Sequence, residues 1–344
     1  MPPKAKADNT ALRELKHALR DGQLKNLYVF HGEEAYLREY YLGQMKKALL
    51  PAGLEEFNLH TAQGKECSPE WLEQAVDCLP MMSQRTMILV YDYDLFENES
   101  RRDRLEQMFQ DLPEYVCLIF VYDLLPYKSG GNTKLGKLLK KVATVVEFQP
   151  QQQSDLNAWI RRHCKALGKE IDNSTAEYLT FVCGGLMTNL GGEIQKVGSY
   201  AAGSKITRAD IDAVATPVLD AKVYELSKAV AARNFDQAAL VLGELYQMNE
   251  EPIMILAVLA GQLRQMWSAR LALESGKGQG YVADLWKLRS SWQAGNLMRS
   301  ARQFDLKWCR NAVALAAETD LAMKSTGIDR EELLTDLLLK LAAG

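Results

Sequence analysis

The residues best placed to do chemistry lie where a short apolar run meets a glycine. Leu27–His31 ends at Gly32, and the chain continues Gly32-Glu33-Glu34-Ala35-Tyr36-Leu37-Arg38-Glu39. A phosphate-binding loop of the pattern GxxxxGK[ST] would occupy this register. Its glycines let backbone N–H groups close around phosphates, and its hydroxyl holds magnesium. Here Leu37 stands at the second glycine, Arg38 at the lysine and Glu39 at the hydroxyl position. Glu33 and Glu34 also place negative charge at the start of the next helix, where it satisfies the helix dipole and repels a triphosphate. The loop marked by Gly32, Leu37, Arg38 and Glu39 is therefore expected not to bind nucleotide. Asp92, in Tyr91-Asp92-Tyr93-Asp94, echoes a magnesium-holding carboxylate, but without the loop it reads as a surface carboxylate at a strand end. Nucleotide-driven motors often carry a lid arginine in a GxLR pattern. The matching stretch is Gly184-Gly185-Leu186-Met187, with Met187 in place of the arginine.

Other chemistries find little support. Cysteines stand at Cys67, Cys78, Cys117, Cys164, Cys183 and Cys309, without a CxxC pair or a zinc spacing, and read as reduced thiols of a cytoplasmic protein. The histidines are His17, His31, His60 and His163. His163 and Cys164 are adjacent, so on a helix they point about 100° apart and do not share a metal. No metal, no cofactor and no catalytic residue is expected. The formal charge of −3 argues against binding nucleic acid through bulk positive charge. No apolar run approaches the roughly 18 residues of a membrane helix, so no membrane partner is expected. The start, MPPKAKADNT, reads as a short basic disordered tail and not as a secretory signal.

The elements that must position these residues follow from periodicity. At roughly 150 residues per domain, 344 residues suggest two or three domains. Strands are expected at Leu27–His31, Phe57–His60, Thr86–Tyr91, Cys117–Tyr122 and Thr144–Phe148, with a helix over Glu33–Leu50. Ser68-Pro69 reads as an N-cap and first-turn proline for a helix whose Leu72, Ala75, Val76 and Leu79 share one face. Strands alternating with helices imply a parallel sheet covered on both faces. The polar stretch 149–155 reads as a linker. Helices follow: Leu156–Leu167 with Ser154 as N-cap, a helix from Asn173-Ser174 to Cys183, Leu186–Ala202, and a short one over Ala209–Ala215. After Pro217 all seven candidates are helical, from Val223–Ala232 to Arg330–Ala343. No solenoid repeat is visible. Between the helix at 69–79 and the strand at 86 lie Leu79, Pro80, Met81 and Met82. Two readings stand for the methionines: core residues opening the strand, or an exposed apolar pair, since consecutive residues rarely face one core.

At this point the sequence resembles the delta subunit of the bacterial DNA polymerase III clamp loader. The likeness is carried by residues 27–34, by Leu79-Pro80-Met81-Met82-Ser83-Gln84-Arg85, and by Asn189-Leu190 followed by Glu193-Ile194-Gln195-Lys196. It continues with Val223-Tyr224-Glu225-Leu226, Glu251-Pro252-Ile253 with Leu263-Arg264, and Thr319-Asp320 with Lys324. The resemblance implies a fold class of α/β plus all-α in three domains. These are an AAA+-like α/β domain (1–149), a helical lid (150–216) and a helical collar (217–344). It implies a protein that binds the sliding clamp and opens one interface of the ring, while sister subunits hydrolyse ATP. Its implied partners are the clamp (beta), the gamma/tau ATPase and delta prime through the collar, and primed DNA within the complex. The implied clamp contact is Met81-Met82, shaped by Leu79 and Pro80. Two methionines replace the family's usual aromatic or leucine residues, and methionine suits an adaptable apolar pocket.

Two basic groups remain, Lys134, Lys137, Lys140 and Lys141, and Arg161, Arg162, Lys165 and Lys169. Each could meet DNA phosphates but reads better as a solvated helix face. Trp286, Trp292, Phe304 and Trp308, among Arg289, Arg299 and Arg302, read as core or subunit packing. Rival readings are an active NTPase, which Leu37-Arg38-Glu39 denies, and a helical adaptor with a degenerate AAA+ module unrelated to the clamp.

Overall fold

The computed structural model describes residues 10–97, 99–288 and 291–343. All but Thr10 of the expected tail, and Arg289, lie outside the described residues, as does the Trp292 side chain. The chain divides into two units, one of Met1–Pro150 with Leu186–Thr188, the other of Gln151–Gly185 with Asn189–Gly344.

The first unit contains α1 (Thr10–Asp21), β1 (Leu27–His31), α2 (Ala35–Leu49), α3 (Glu55–Asn58), β2 (Leu59–Gln63), α4 (Pro69–Asp77), β3 (Thr86–Tyr91), α5 (Glu99–Gln110), β4 (Val116–Val121), α6 (Lys134–Val142) and β5 (Thr144–Glu147). The strands form one parallel sheet in the order β2-β3-β4-β1-β5. The central strands β3 and β4 read TMILVY and VCLIFV because both their faces are covered. Leu27, Val29, Ile88, Val90, Leu118 and Phe120 pack with Leu72, Val76, Leu105 and Leu135 of α4–α6. The alternate residues Tyr28, Phe30, Met87, Leu89, Cys117 and Ile119 pack with Leu12, Leu15, Leu42 and Met45 of α1 and α2. Period-two alternation thus divides each strand between two cores.

One reading needs correction here. The strand expected at Phe57–His60 is half helix: Phe57 and Asn58 close the turn α3, and β2 begins at Leu59. The Asn58 side chain donates to the Leu54 carbonyl (3.0 Å), a local bond that competes with the sheet ladder. The helix α1, which begins at Thr10, is not among the expected elements; Leu12 and Leu15 bury one face of a strongly charged helix. Ser68 caps α4 as expected, accepting from the Trp71 amide at 3.1 Å.

The second unit is helical. It holds α7 (Gln153–Ala166), α8 (Asn173–Cys183), α9 (Met187–Tyr200), α10 (Arg208–Val214), α11 (Leu219–Ala231), α12 (Phe235–Gln247), α13 (Pro252–Glu274), α14 (Gln279–Trp286), α15 (Ser291–Ala301), α16 (Leu306–Ser325) and α17 (Arg330–Ala343). The first two residues of α9 belong to the first unit. Ser154 is not an N-cap: Gln152 holds that position and Ser154 lies inside α7. Gln153 draws the helix start forward by donating to Asn157 Oδ1 (2.9 Å) and Thr180 Oγ1 (3.3 Å). Asp172 caps α8, and Thr207 with Asp210 forms a capping box on α10. One apolar core runs through α11–α17, with Leu256, Leu259 and Leu263 of α13 and Ala312 and Ala316 of α16 at its centre. Phe304 and Trp308 stack at 3.9 Å within it, so these two aromatics are core.

Candidate functional site

Two regions of the first unit hold the candidate residues, at opposite ends of the strands. Open parallel sheets ordinarily bind ligands beyond the carboxyl ends of their strands, so the C-terminal edge comes first. Gly32 follows β1 with φ +117°. A Cβ there would lie 2.3 Å from the Phe148 carbonyl oxygen. That oxygen accepts from the Glu34 amide at 3.0 Å, while the Phe148 amide donates to the His31 carbonyl at 2.7 Å. The glycine is thus required by the close approach of the chain leaving β5. Leu37 is half-buried against the core beneath α1 and α2, and Glu39 is exposed. Arg38 is buried. Its guanidinium donates to the Gly32 carbonyl at 2.9 Å and pairs with Asp123. The cation at the lysine position is therefore spent on the protein itself.

Glu34 is fully buried, and both carboxylate oxygens lie 3.3 Å from the Met187 amide, at the start of α9. Burial pushes its carboxyl above the ordinary value, against the opposing pull of the Met187 and Tyr36 amides. Asp92 adopts φ +50°. One of its oxygens accepts from the Asp123, Leu124 and Leu125 amides, each at 2.9 Å. Its work is to fold the loop after β4. His31 packs its ring, tilted, against Tyr127 at 4.7 Å, and burial lowers its pKa. Among the described residues no group of three or more His, Cys, Asp or Glu side chains is arranged to hold a metal ion. Burial holds the thiols of Cys67, Cys117 and Cys183 up at about 12.

The amino ends of the strands carry the loop between α4 and β3. Leu79, Met81 and Met82 are 71%, 52% and 83% exposed, and Pro80 is half-buried. Neither methionine is core. The backbone beneath them is fixed at two points. Buried Asn58 accepts from the Met81 amide at 2.8 Å and donates to the Met81 carbonyl at 2.9 Å. Arg85 donates to the carbonyls of Leu24 (2.6 Å), Lys25 (3.2 Å) and Val116 (2.9 Å) and to Asn26 Oδ1 (3.3 Å). Ser83 Oγ donates to the Arg85 carbonyl at 3.0 Å. Met82 sits at φ +52°, a left-handed conformation costing a side-chain-bearing residue about 1–2 kcal/mol. Asn58 was missed in the sequence, where it reads as part of a strand. Its signal is an asparagine beside an apolar segment, too common to single out.

The basic groups separate. Lys134, Lys137, Lys140 and Lys141 are exposed on α6 opposite buried Leu135 and Leu139. Arg161, Arg162 and Lys165 are exposed on α7. Lys169 instead donates to the Ala201 and Gly203 carbonyls at 2.5 and 2.7 Å, closing the end of α9.

Comparison with known proteins places these regions in a family. Residues 28–149 match the family described as DNA polymerase III, delta subunit, and residues 220–341 its C-terminal domain. The DNA polymerase III subunit delta of Bacillus subtilis (strain 168) is 25% identical over 334 residues, covering 94% of this chain and 95% of its own. The probable DNA polymerase III subunit delta of Aquifex aeolicus (strain VF5) is 21% identical over 262 residues, 74% of this chain and 73% of that one. The solved structure of the Bacillus subtilis DNA clamp loader delta protein shares the fold, with a TM-score of 0.51 and 23% identity over 97% of this chain and all of the other. The loop segment 79–85 and the altered first βα turn both lie within the first matched region, and the apolar helical core within the second: the chain belongs to the DNA polymerase III delta subunit family.

Proposed function

We propose that this chain binds the ring-shaped sliding clamp through Met81 and Met82, aided by Leu79 and Pro80, and opens one ring interface for loading on primed DNA. On this reading residues 1–149 make the clamp contact, 150–216 form a lid, and 217–344 form the collar that meets the gamma/tau ATPase and delta prime. ATP is hydrolysed by those sister subunits and not here.

The observation that carries the reading is the pair of exposed methionines on a backbone held by Asn58 and Arg85. Taking a methionine side chain fully out of water is worth about 1.5–3 kcal/mol. A frame ordered in advance spares the entropy of ordering that loop on docking. The closed C-terminal edge supports the second half of the reading. The turn keeps no backbone cradle for phosphates, and its cation already has partners. Ring opening then follows from differential affinity: the tip must bind the open ring more tightly than the closed one. ATP binding elsewhere in the assembly has only to present the tip.

The test is binding of the purified chain to the sliding clamp of its own organism, beside the Met81→Ala/Met82→Ala variant. Binding weakened by at least about 2 kcal/mol, roughly 30-fold, supports the reading. Binding unaffected by the substitutions moves the contact elsewhere. A folded chain that does not bind the clamp at all favours the adaptor reading.

A further inference from the structure

Among the described residues Glu34 is the one carboxylate that is fully buried. A buried carboxylate is costly unless charge or hydrogen bonds meet it. Arg38, four residues on, directs its guanidinium to the Gly32 carbonyl and Asp123. Glu34 precedes α2 at the N-cap position, yet its side chain reaches a residue 153 positions away. Both oxygens share the amide of Met187, which opens the 14-residue helix α9. The first N–H groups of a helix lack partners within it, and the positive end of the dipole favours an anion there. A helix N-terminus set against a first βα turn is the arrangement that elsewhere holds phosphate. Here the anion comes from the chain itself, and the residue it meets, Met187, packs with Leu186 and Thr188 as part of the first unit.

We propose that Glu34 is an internal anionic ligand for the N-terminus of α9, docking residues 186–188 on the first βα turn with no nucleotide present. This rests on reading that turn as a nucleotide loop that has lost its function, and it deepens the reading. The chain has replaced a ligand that comes and goes with one that is covalently its own. Met187 suits the arrangement, since its side chain is buried and only its backbone amide is used.

The test is hydrogen–deuterium exchange on the full chain, reading the Met187 amide in wild type, Glu34→Leu and Glu34→Gln. Leucine fills the space without an acceptor; glutamine keeps an acceptor and loses the charge. Met187 is expected to exchange at least about tenfold faster in Glu34→Leu, with β3 and β4 amides unchanged, and less so in Glu34→Gln. Unchanged exchange at Met187, or a rise matched across the sheet, overturns the proposal. Should Glu34→Leu fail to fold, Glu34→Gln carries the test, and an amide no faster than wild type overturns it. Millimolar ATP or inorganic phosphate added to wild type should leave Met187 unaltered; a slowing would show that the anion is supplied from outside. A folded wild-type chain that does not bind the clamp, with local exchange at Met187 as expected in the variants, would sink the clamp role and leave this inference standing.

Discussion

At the carboxyl ends of the strands, Arg38 and Glu34 turn their charges inward; at the amino ends, Met81 and Met82 turn apolar side chains outward. Both arrangements invert the ordinary preference of the residue type, and each is stabilised by backbone hydrogen bonds. Gly32 and Met187 meet the buried charges, while Asn58 and Arg85 fix the loop under the exposed methionines. The difference teaches where each edge stores its stability. The closed edge holds it in Arg38, whose buried guanidinium meets the Gly32 carbonyl and Asp123 and cannot be removed cheaply. The open edge holds it in the supporting residues, so the distinguishing side chains are free to serve a partner.

That contrast predicts an order of effects. Arg38→Ala strips the Gly32 carbonyl and Asp123 of their buried partner and should lower unfolding stability by about 3 kcal/mol in urea titrations. A loss under about 1 kcal/mol would mean that the closed edge is not held by its charges. Met81→Ala/Met82→Ala should weaken clamp binding by about 2 kcal/mol while moving stability by less than about 0.5 kcal/mol; a comparable loss of stability would erase the distinction between the edges. Asn58→Ala removes two bonds to Met81 and one to Leu54 and should cost about 1–2 kcal/mol of stability, with a smaller loss in clamp affinity. An affinity loss as large as that of the methionine pair would make the frame, and not the side chains, the source of binding.

The smallest effect concerns pH. Burial raises the Glu34 carboxyl above its ordinary 4.5 in the folded chain. Between the unfolded and folded values the folded chain holds the extra proton, so stability from this group falls as pH rises through that window. Glu34→Gln should flatten that part of the stability–pH curve without disturbing its acid limb. Wild-type and variant curves of equal slope above pH 4.5 would contradict the assigned burial.

Much of this was legible in the residues. The runs TMILVY and VCLIFV announce strands buried on both faces because that signal is local. The seven helices after Pro217 follow from period and breakers alone. What stayed hidden depends on distant partners. Asn58 reads as strand until Met81 is brought beside it, and Glu34 reads as a charge satisfying its own helix dipole until Met187 arrives from 153 residues away. Ser154 looked the better cap, but the bond from Gln153 to Thr180 starts the helix earlier. Lys169 looked like a member of a basic face and instead meets the carbonyls at the end of α9.

The order β2-β3-β4-β1-β5 also sets a timetable for the newborn chain. Leu27 pairs with Leu118, so β1 leaves the ribosome about 90 residues before the strand that flanks it. At about 5–20 residues per second, Tyr28, Val29 and Phe30 wait some 5–20 s with both strand edges unpaired. Helices of the second unit such as α11 and α12 adjoin in sequence and pack as soon as they emerge. Protection from aggregation during synthesis is needed at the start of this chain, not at its end.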